Sequence, residues 1–245
     1  MDKSKQLFKN PVARVVIAIL MGLFVINMVD YVERLIILIP GVMDMFSWIP
    51  RLSGSVSTVV FAVLIILIVN KGKLTDYGFT FGRKIRYVKI IILSFVIGIV
   101  TMLITGIIVN ILNSFFPVEG GEHFASKYSF LETVLYVWIL ASISEEVLTR
   151  GLIQGFLMPL RKYGFRIFKR FISAPVLIGA LFFGAIHIML LTTGMNAYMV
   201  FAVVVTCFIL GLMAGYTREK TGSLIPAIIV HMVFNIGGAF LGLLG

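Results

Sequence analysis

Apolar residues in this chain fall in long, nearly uncharged runs rather than at the spacing of a surface helix. About 20 apolar residues in a helix cross a bilayer, so each run is long enough to be read against that length. Runs extend over 15–29, 52–70, 90–118, 133–160 and 171–217, and from 221 to the last residue. The fifth holds two helices' worth of residues, with the "TTGMN" stretch at 192–196 as the turn. The pattern predicts seven membrane-spanning helices. The first follows Lys3, Lys5, Lys9 and Arg14 as a signal peptide would, but "INMVDYVE" stands where small residues would mark cleavage. It reads as an uncleaved anchor. No repeat, low-complexity tract or soluble domain interrupts the series, so residues 1–245 are expected to form one integral membrane domain.

Composition agrees with the pattern. The 245 residues are 60% apolar and 13% charged, against roughly 45–50% and about 25% in soluble domains. With a mean hydropathy of +1.06, a soluble enzyme and a disordered chain are excluded. The net charge of +10 does not indicate nucleic acid, because the basic residues sit in short segments between apolar runs. Of the 21 Lys and Arg, 17 lie in the N-terminus, 71–89, 161–170 and 218–220. The alternate loops hold Arg34, Arg51 and Lys127, and Arg150 lies inside a run. By the positive-inside rule the N-terminus is expected in the cytoplasm and the C-terminus outside a cell membrane. Cys207, the single cysteine, excludes a disulfide framework and is expected to be a buried, inert thiol. Gly211 and Gly215 form a Gly-x-x-x-Gly pair that serves either internal helix packing or dimerisation.

Charge inside the 133–160 run carries the candidate chemistry. Ionisable groups within a span are costly and mark function by default. Glu146 and Arg150 are i,i+4 neighbours and can pair, whereas Glu145 lies about 100° round the helix and stays spare. A spare carboxylate suits a general base; the alternative is a charge cluster that only locks helices together. Two of the three His also fall in spans, His187 one turn after Phe183 and His231 one turn before Asn235. His123 lies in a polar loop and is expected to be solvated. A single buried cluster of Glu145, His187, His231 and Asn235 would satisfy these groups together. Such a set can hydrolyse a peptide bond: Glu145 and His187 hold and deprotonate a water, and His231 and Asn235 face the developing oxyanion. Two His and a carboxylate are equally a metal-ligand set, although the His-Glu-x-x-His zinc pattern is absent.

These residues also resemble a known family. Glu145, Glu146 and Arg150 (Glu-Glu-x-x-x-Arg), Phe183 and His187 (Phe-x-x-x-His), and His231 and Asn235 (His-x-x-x-Asn) follow in order on separate spans. With the flanks "RGLIQGFL" and "TGSLIPAIIVH" and the "LTDYGF" stretch, the chain is similar to the CAAX-protease and bacteriocin-processing family of intramembrane proteases, also called the Abi family. The similarity covers a core of about 74–245. Thr149 departs from it, since many members carry an aromatic residue before the Arg. The resemblance implies an all-α, polytopic transmembrane bundle of about seven to eight helices around a membrane-embedded polar cavity open to the membrane and the cytosolic side. It implies a glutamate-type protease without metal or other cofactor. Glu145 and His187 then act as water activators and His231 and Asn235 as the oxyanion site, with Glu146, Arg150 and Phe183 in support. The implied partners are membrane lipids and a membrane-associated peptide or protein substrate, with no nucleic acid. An Ile-, Lys- and Phe-rich composition suggests an AT-rich bacterial genome, and hence bacterial peptide processing (a bacteriocin, peptide signal or immunity role). A CAAX-type prenyl-protein endopeptidase, a metal-dependent membrane hydrolase and a non-catalytic scaffold or immunity protein are the alternatives.

Overall fold

The computed structural model describes residues 10–42, 48–82, 87–119, 129–167 and 169–242. Helix α1 (Pro11–Ile37) begins at Asn10, whose side-chain oxygen accepts from the Val12 and Ala13 amides. α2 is Ile49–Val69, α3 is Tyr87–Phe115, α5 is Ala174–Ile186, α6 is Ala197–Thr221 and α7 is Ile225–Gly242. Between α3 and α5 the run 130–160 forms one continuous helical rod, α4, of uneven winding. α-Helical turns at Ser142–Glu146 and Gln154–Leu157 alternate with π-helical turns at Thr133–Ala141 and Val147–Ile153. Each predicted span thus corresponds to one helix. Five helical stretches are long and apolar enough to cross a membrane: α1, α2, α3, α6 and α5 with its extension to Thr193. α4 is interrupted by its charges and windings, and α7 is shorter.

The predicted span 171–217 needs correction at its start. Residues Gly164–Ile167 and Arg170–Ser173 pair as antiparallel strands β1 and β2, with Gly164 opposite Ser173. Phe171 therefore belongs to a short hairpin that precedes α5. α5 starts where the Ser173 hydroxyl caps the Val176 amide and Pro175 occupies the first turn. Among the described residues the bundle is otherwise helical.

The segments rich in basic residues meet at one end of the bundle. There the Arg14 guanidinium donates to the Phe156 carbonyl (2.6 Å) and lies over its ring. Arg218 donates to the Asp76 carbonyl, the Leu224 amide donates to the Gly78 carbonyl, and Ser223 donates to the Thr80 carbonyl. The "LTDYGF" stretch, with Tyr77 packed on Gly155, therefore closes this end. Two apolar clusters fill the interior. One joins α1, α2 and α4 through Val25, Ala62, Leu152 and Ile153; the other joins α5, α6 and α7 through Phe183, Leu210, Ala227 and Phe234. Outward side chains such as Leu20, Phe24, Ile104 and Ile107 are exposed and apolar, as contact with lipid requires.

Candidate active site

The seven singled-out residues converge where the two apolar clusters meet. Glu146 is fully buried and its Oε1 accepts from Arg150 Nη1 at 2.8 Å, the pair that the i,i+4 spacing predicts. The same Oε1 lies 2.9 Å from His231 Nδ1 on α7. A carboxylate can only accept, so the His231 Nδ1–H donates, and the ring is turned with Nε2 toward the cavity. There Nε2 lies 3.7 Å from Glu145 Oε2. Glu145 keeps about a third of its side chain exposed, while Glu146 and Arg150 keep essentially none. The adjacent carboxylates thus have separate tasks: one locked in an ion pair, the other facing open space.

Local winding positions these groups. Glu145 and Glu146 sit on an α-helical turn between two π-helical segments, a winding that recurs at functional sites. Thr149 donates back to the Glu145 carbonyl (2.5 Å) and accepts from Arg150 (2.5 Å). At the position where the family often carries an aromatic residue, this hydroxyl therefore helps hold the guanidinium. Arg150 also stacks over the Phe183 ring at 4.6 Å. Phe183 in turn meets the His187 and His231 rings edge-on, with centroids 5.1 and 5.5 Å away. The phenyl ring is the shared back wall of both imidazoles.

His187 occupies the point where α5 tightens into a 3-10 helix over His187–Thr193. Its Nδ1 donates to the Phe183 carbonyl at 2.8 Å, and Nε2 lies 3.5 Å from Cys207 Sγ. Among the described residues it makes no hydrogen bond or ion pair with Glu145; the imidazole beside Glu145 is that of His231. Asn235 donates from Nδ2 to the Val137 carbonyl (2.9 Å) and the Ser142 hydroxyl (3.2 Å), tying α7 to α4. His123 lies outside the described residues.

A cavity of about 790 Å³ opens onto Glu145, His187, His231 and Asn235. Apolar walls come from Met102, Val109, Met199, Val203 and Phe234. Three cavity-lining residues were not among the sequence candidates. Cys207, expected to be inert packing, lines the cavity and touches His187; a cysteine in an apolar run gives no hint of such a contact. Glu33 and Arg51 from the first two helices complete the far wall, and only the fold brings them there. Among the described residues, no three His, Cys, Asp or Glu side chains gather as a ligand set. Gly211 and Gly215 are packed internally: a Cβ on Gly211 would lie 2.8 Å from Ala180 Cα and 3.1 Å from Arg150 Nη2, and one on Gly215 would lie 3.0 Å from Gln154 Oε1.

No curated protein and no solved structure matched the chain. Residues 127–237 match the family model described as type II CAAX prenyl endopeptidase Rce1-like, a narrower stretch than the expected core of about 74–245. The matched segment contains Glu145, Glu146, Arg150, Phe183, His187, His231 and Asn235. Through this segment, the chain is similar to the Rce1-like, type II CAAX prenyl endopeptidase family of membrane proteases.

Proposed function

We propose that the chain is a glutamate-type intramembrane endopeptidase that hydrolyses a membrane-associated peptide, in a bacterial peptide-processing role. One observation carries this reading: Glu145 faces the cavity beside His231, whose far nitrogen is anchored on the buried Glu146–Arg150 pair. That division leaves one carboxylate free to move a proton and fixes the other as a support. In the proposed reaction a water in the cavity gives a proton to the Glu145 carboxylate, and its second hydrogen is held by His187 Nε2. The water oxygen bonds to the peptide carbonyl carbon, and the carbonyl π electrons move to oxygen. His231, in its protonated form, donates Nε2–H to that oxyanion. One Asn235 N–H turns from Ser142 to complete the oxyanion site. Collapse breaks the C–N bond, and the proton on Glu145 passes to the leaving amine. The chemistry uses no cofactor.

The 1–245 chain acts as a single domain in this reading, with α1 and α2 forming a wall of the cavity made by the family segment. We also infer its orientation. The basic segments cluster at the closed end of the bundle. The cavity-lining residues Glu33, Arg51, Asn110, Tyr136, Leu190 and Met199 lie toward the opposite helix ends. The positive-inside rule then puts the closed end in the cytoplasm and the cavity mouth outside the cell membrane, not on the cytosolic side that the resemblance implies. A peptide reaching the mouth from that side has been exported. The family description favours a second substrate class, prenylated proteins, and the apolar walls accept a prenyl chain as readily as an apolar peptide.

Comparing membrane-associated peptides from cells carrying wild type with those carrying Glu145→Ala tests the reading. A precursor that accumulates only in the variant supports it and names the substrate. Identical peptide profiles would oppose it, and a farnesylated precursor would select the second class.

A further inference from the structure

The wall of the cavity opposite the family segment carries a charge without a task. Glu33 lies four residues before the end of α1 and lines the cavity one turn beyond Val29. Across from it, Arg51, Gly54, Ser55 and Thr58 recur at three- and four-residue spacing and form a cavity-lining stripe on one face of α2. Glu33 is seated by the absence of a side chain at Gly54, because a Cβ there would clash with its Oε1. The half-buried carboxylate makes no hydrogen bond or ion pair among the described residues. Arg51, the cation nearest in sequence on that stripe, has contacts of its own. Asp30 and Arg34 pair with each other at 2.8 Å on the exposed side of α1. A carboxylate held in a notch, pointed at a peptide-sized cavity and left without a cation among the described residues, is arranged to receive one.

We propose that Glu33 is a specificity-determining residue that binds a Lys or Arg side chain of the peptide occupying the cavity. This rests on reading the cavity as a peptide site. The long stem of Lys or Arg lies along apolar walls while its charged head reaches a polar partner, so an otherwise apolar peptide with one basic residue fits both the walls and Glu33. Since α1 and α2 lie outside the matched segment 127–237, this chain's preference is set by residues apart from the shared hydrolytic group.

The test uses the purified full chain in nanodiscs. Fluorescent, apolar 20-residue peptides carry a single Lys, Ala or Glu that is walked along the peptide, and both binding and cleavage are read. At one or two adjacent positions Lys should bind about tenfold more tightly than Ala, the size of one charge-assisted hydrogen bond. Glu33→Gln, which keeps the shape, should reduce that ratio to about twofold or less. Asp30→Asn, which removes an exposed charge on the same helix, should leave it intact. No Lys preference at any position in wild type, or a preference that survives Glu33→Gln, would overturn the assignment. The two readings separate cleanly: a Glu33-dependent preference without cleavage supports Glu33 and rejects hydrolysis, whereas cleavage without any Lys preference does the reverse.

Discussion

Arg150 is held by Glu146, Thr149 and the Phe183 ring at once, so its removal strands a buried carboxylate. Taking one partner from such a pair costs about 3–5 kcal/mol. Arg150→Ala should therefore lower the thermal unfolding midpoint in detergent as well as activity. The double change Glu146→Gln, Arg150→Ala should recover much of the stability, because the stranded charge is gone. An Arg150→Ala protein as stable as wild type would mean that the pair contributes nothing. Asn235 tests the other half of the site. Loss of one oxyanion donor typically lowers the rate about 100- to 1,000-fold, so Asn235→Ala should reduce turnover by that order with little change in peptide binding. Amides are poor ligands for the metals that His favours; activity should accordingly survive prolonged chelation. Activity lost on chelation and restored by zinc would favour the metal-dependent hydrolase. The Cys207–His187 contact raises a cysteine nucleophile as a rival, and Cys207→Ala should still cleave if water is the nucleophile.

Among the elements, α6 sets how closely α4 and α5 approach. Gly211 lets the Ala180 backbone and the Arg150 guanidinium reach its surface, which settles the Gly-x-x-x-Gly pair as internal packing. Gly211→Ala must displace backbone or the guanidinium, and overpacking of this kind costs about 1–3 kcal/mol. Thermal unfolding should show that loss, while Gly106→Ala, with nothing within 4 Å of its added Cβ, should not. The helices were legible because each is a long apolar run with charge or turn residues at its ends. The hairpin was not. Phe165, Ile167, Phe171 and Ile172 are interspersed with Arg166, Lys169 and Arg170, and the single sequence gives no sign that 164–167 and 170–173 pair. The π-helical turns of α4 on either side of Glu145 and Glu146 were equally hidden, since no residue pattern in the apolar run distinguishes them from α-helical turns. At the site, the Glu146–Arg150 pair was readable from its four-residue spacing. The His231–Glu146 bond joins residues 85 apart, and only the assembled bundle supplies such a contact.

For the molecule as a whole, the charge distribution and the cavity make one joint prediction about sidedness. Reporter fusions near Lys73 and Lys169 should read cytoplasmic, and one near Glu122 external. In a Cys207→Ser background, an impermeant maleimide added to intact cells should label Asn110→Cys at the cavity mouth and spare Lys73→Cys at the closed end. The reverse labelling would put the mouth in the cytoplasm and restore the cytosolic access that the resemblance implies. Whichever side a peptide comes from, its hydrolysis depends on the Glu145 carboxylate. The most direct measurement is the rate of peptide cleavage by purified wild type and Glu145→Gln at equal folded concentration, on the precursor that accumulates in cells. Glutamine keeps the shape and removes the base, so the account predicts normal folding and binding with cleavage reduced to background. Cleavage by Glu145→Gln at a rate near wild type would contradict it.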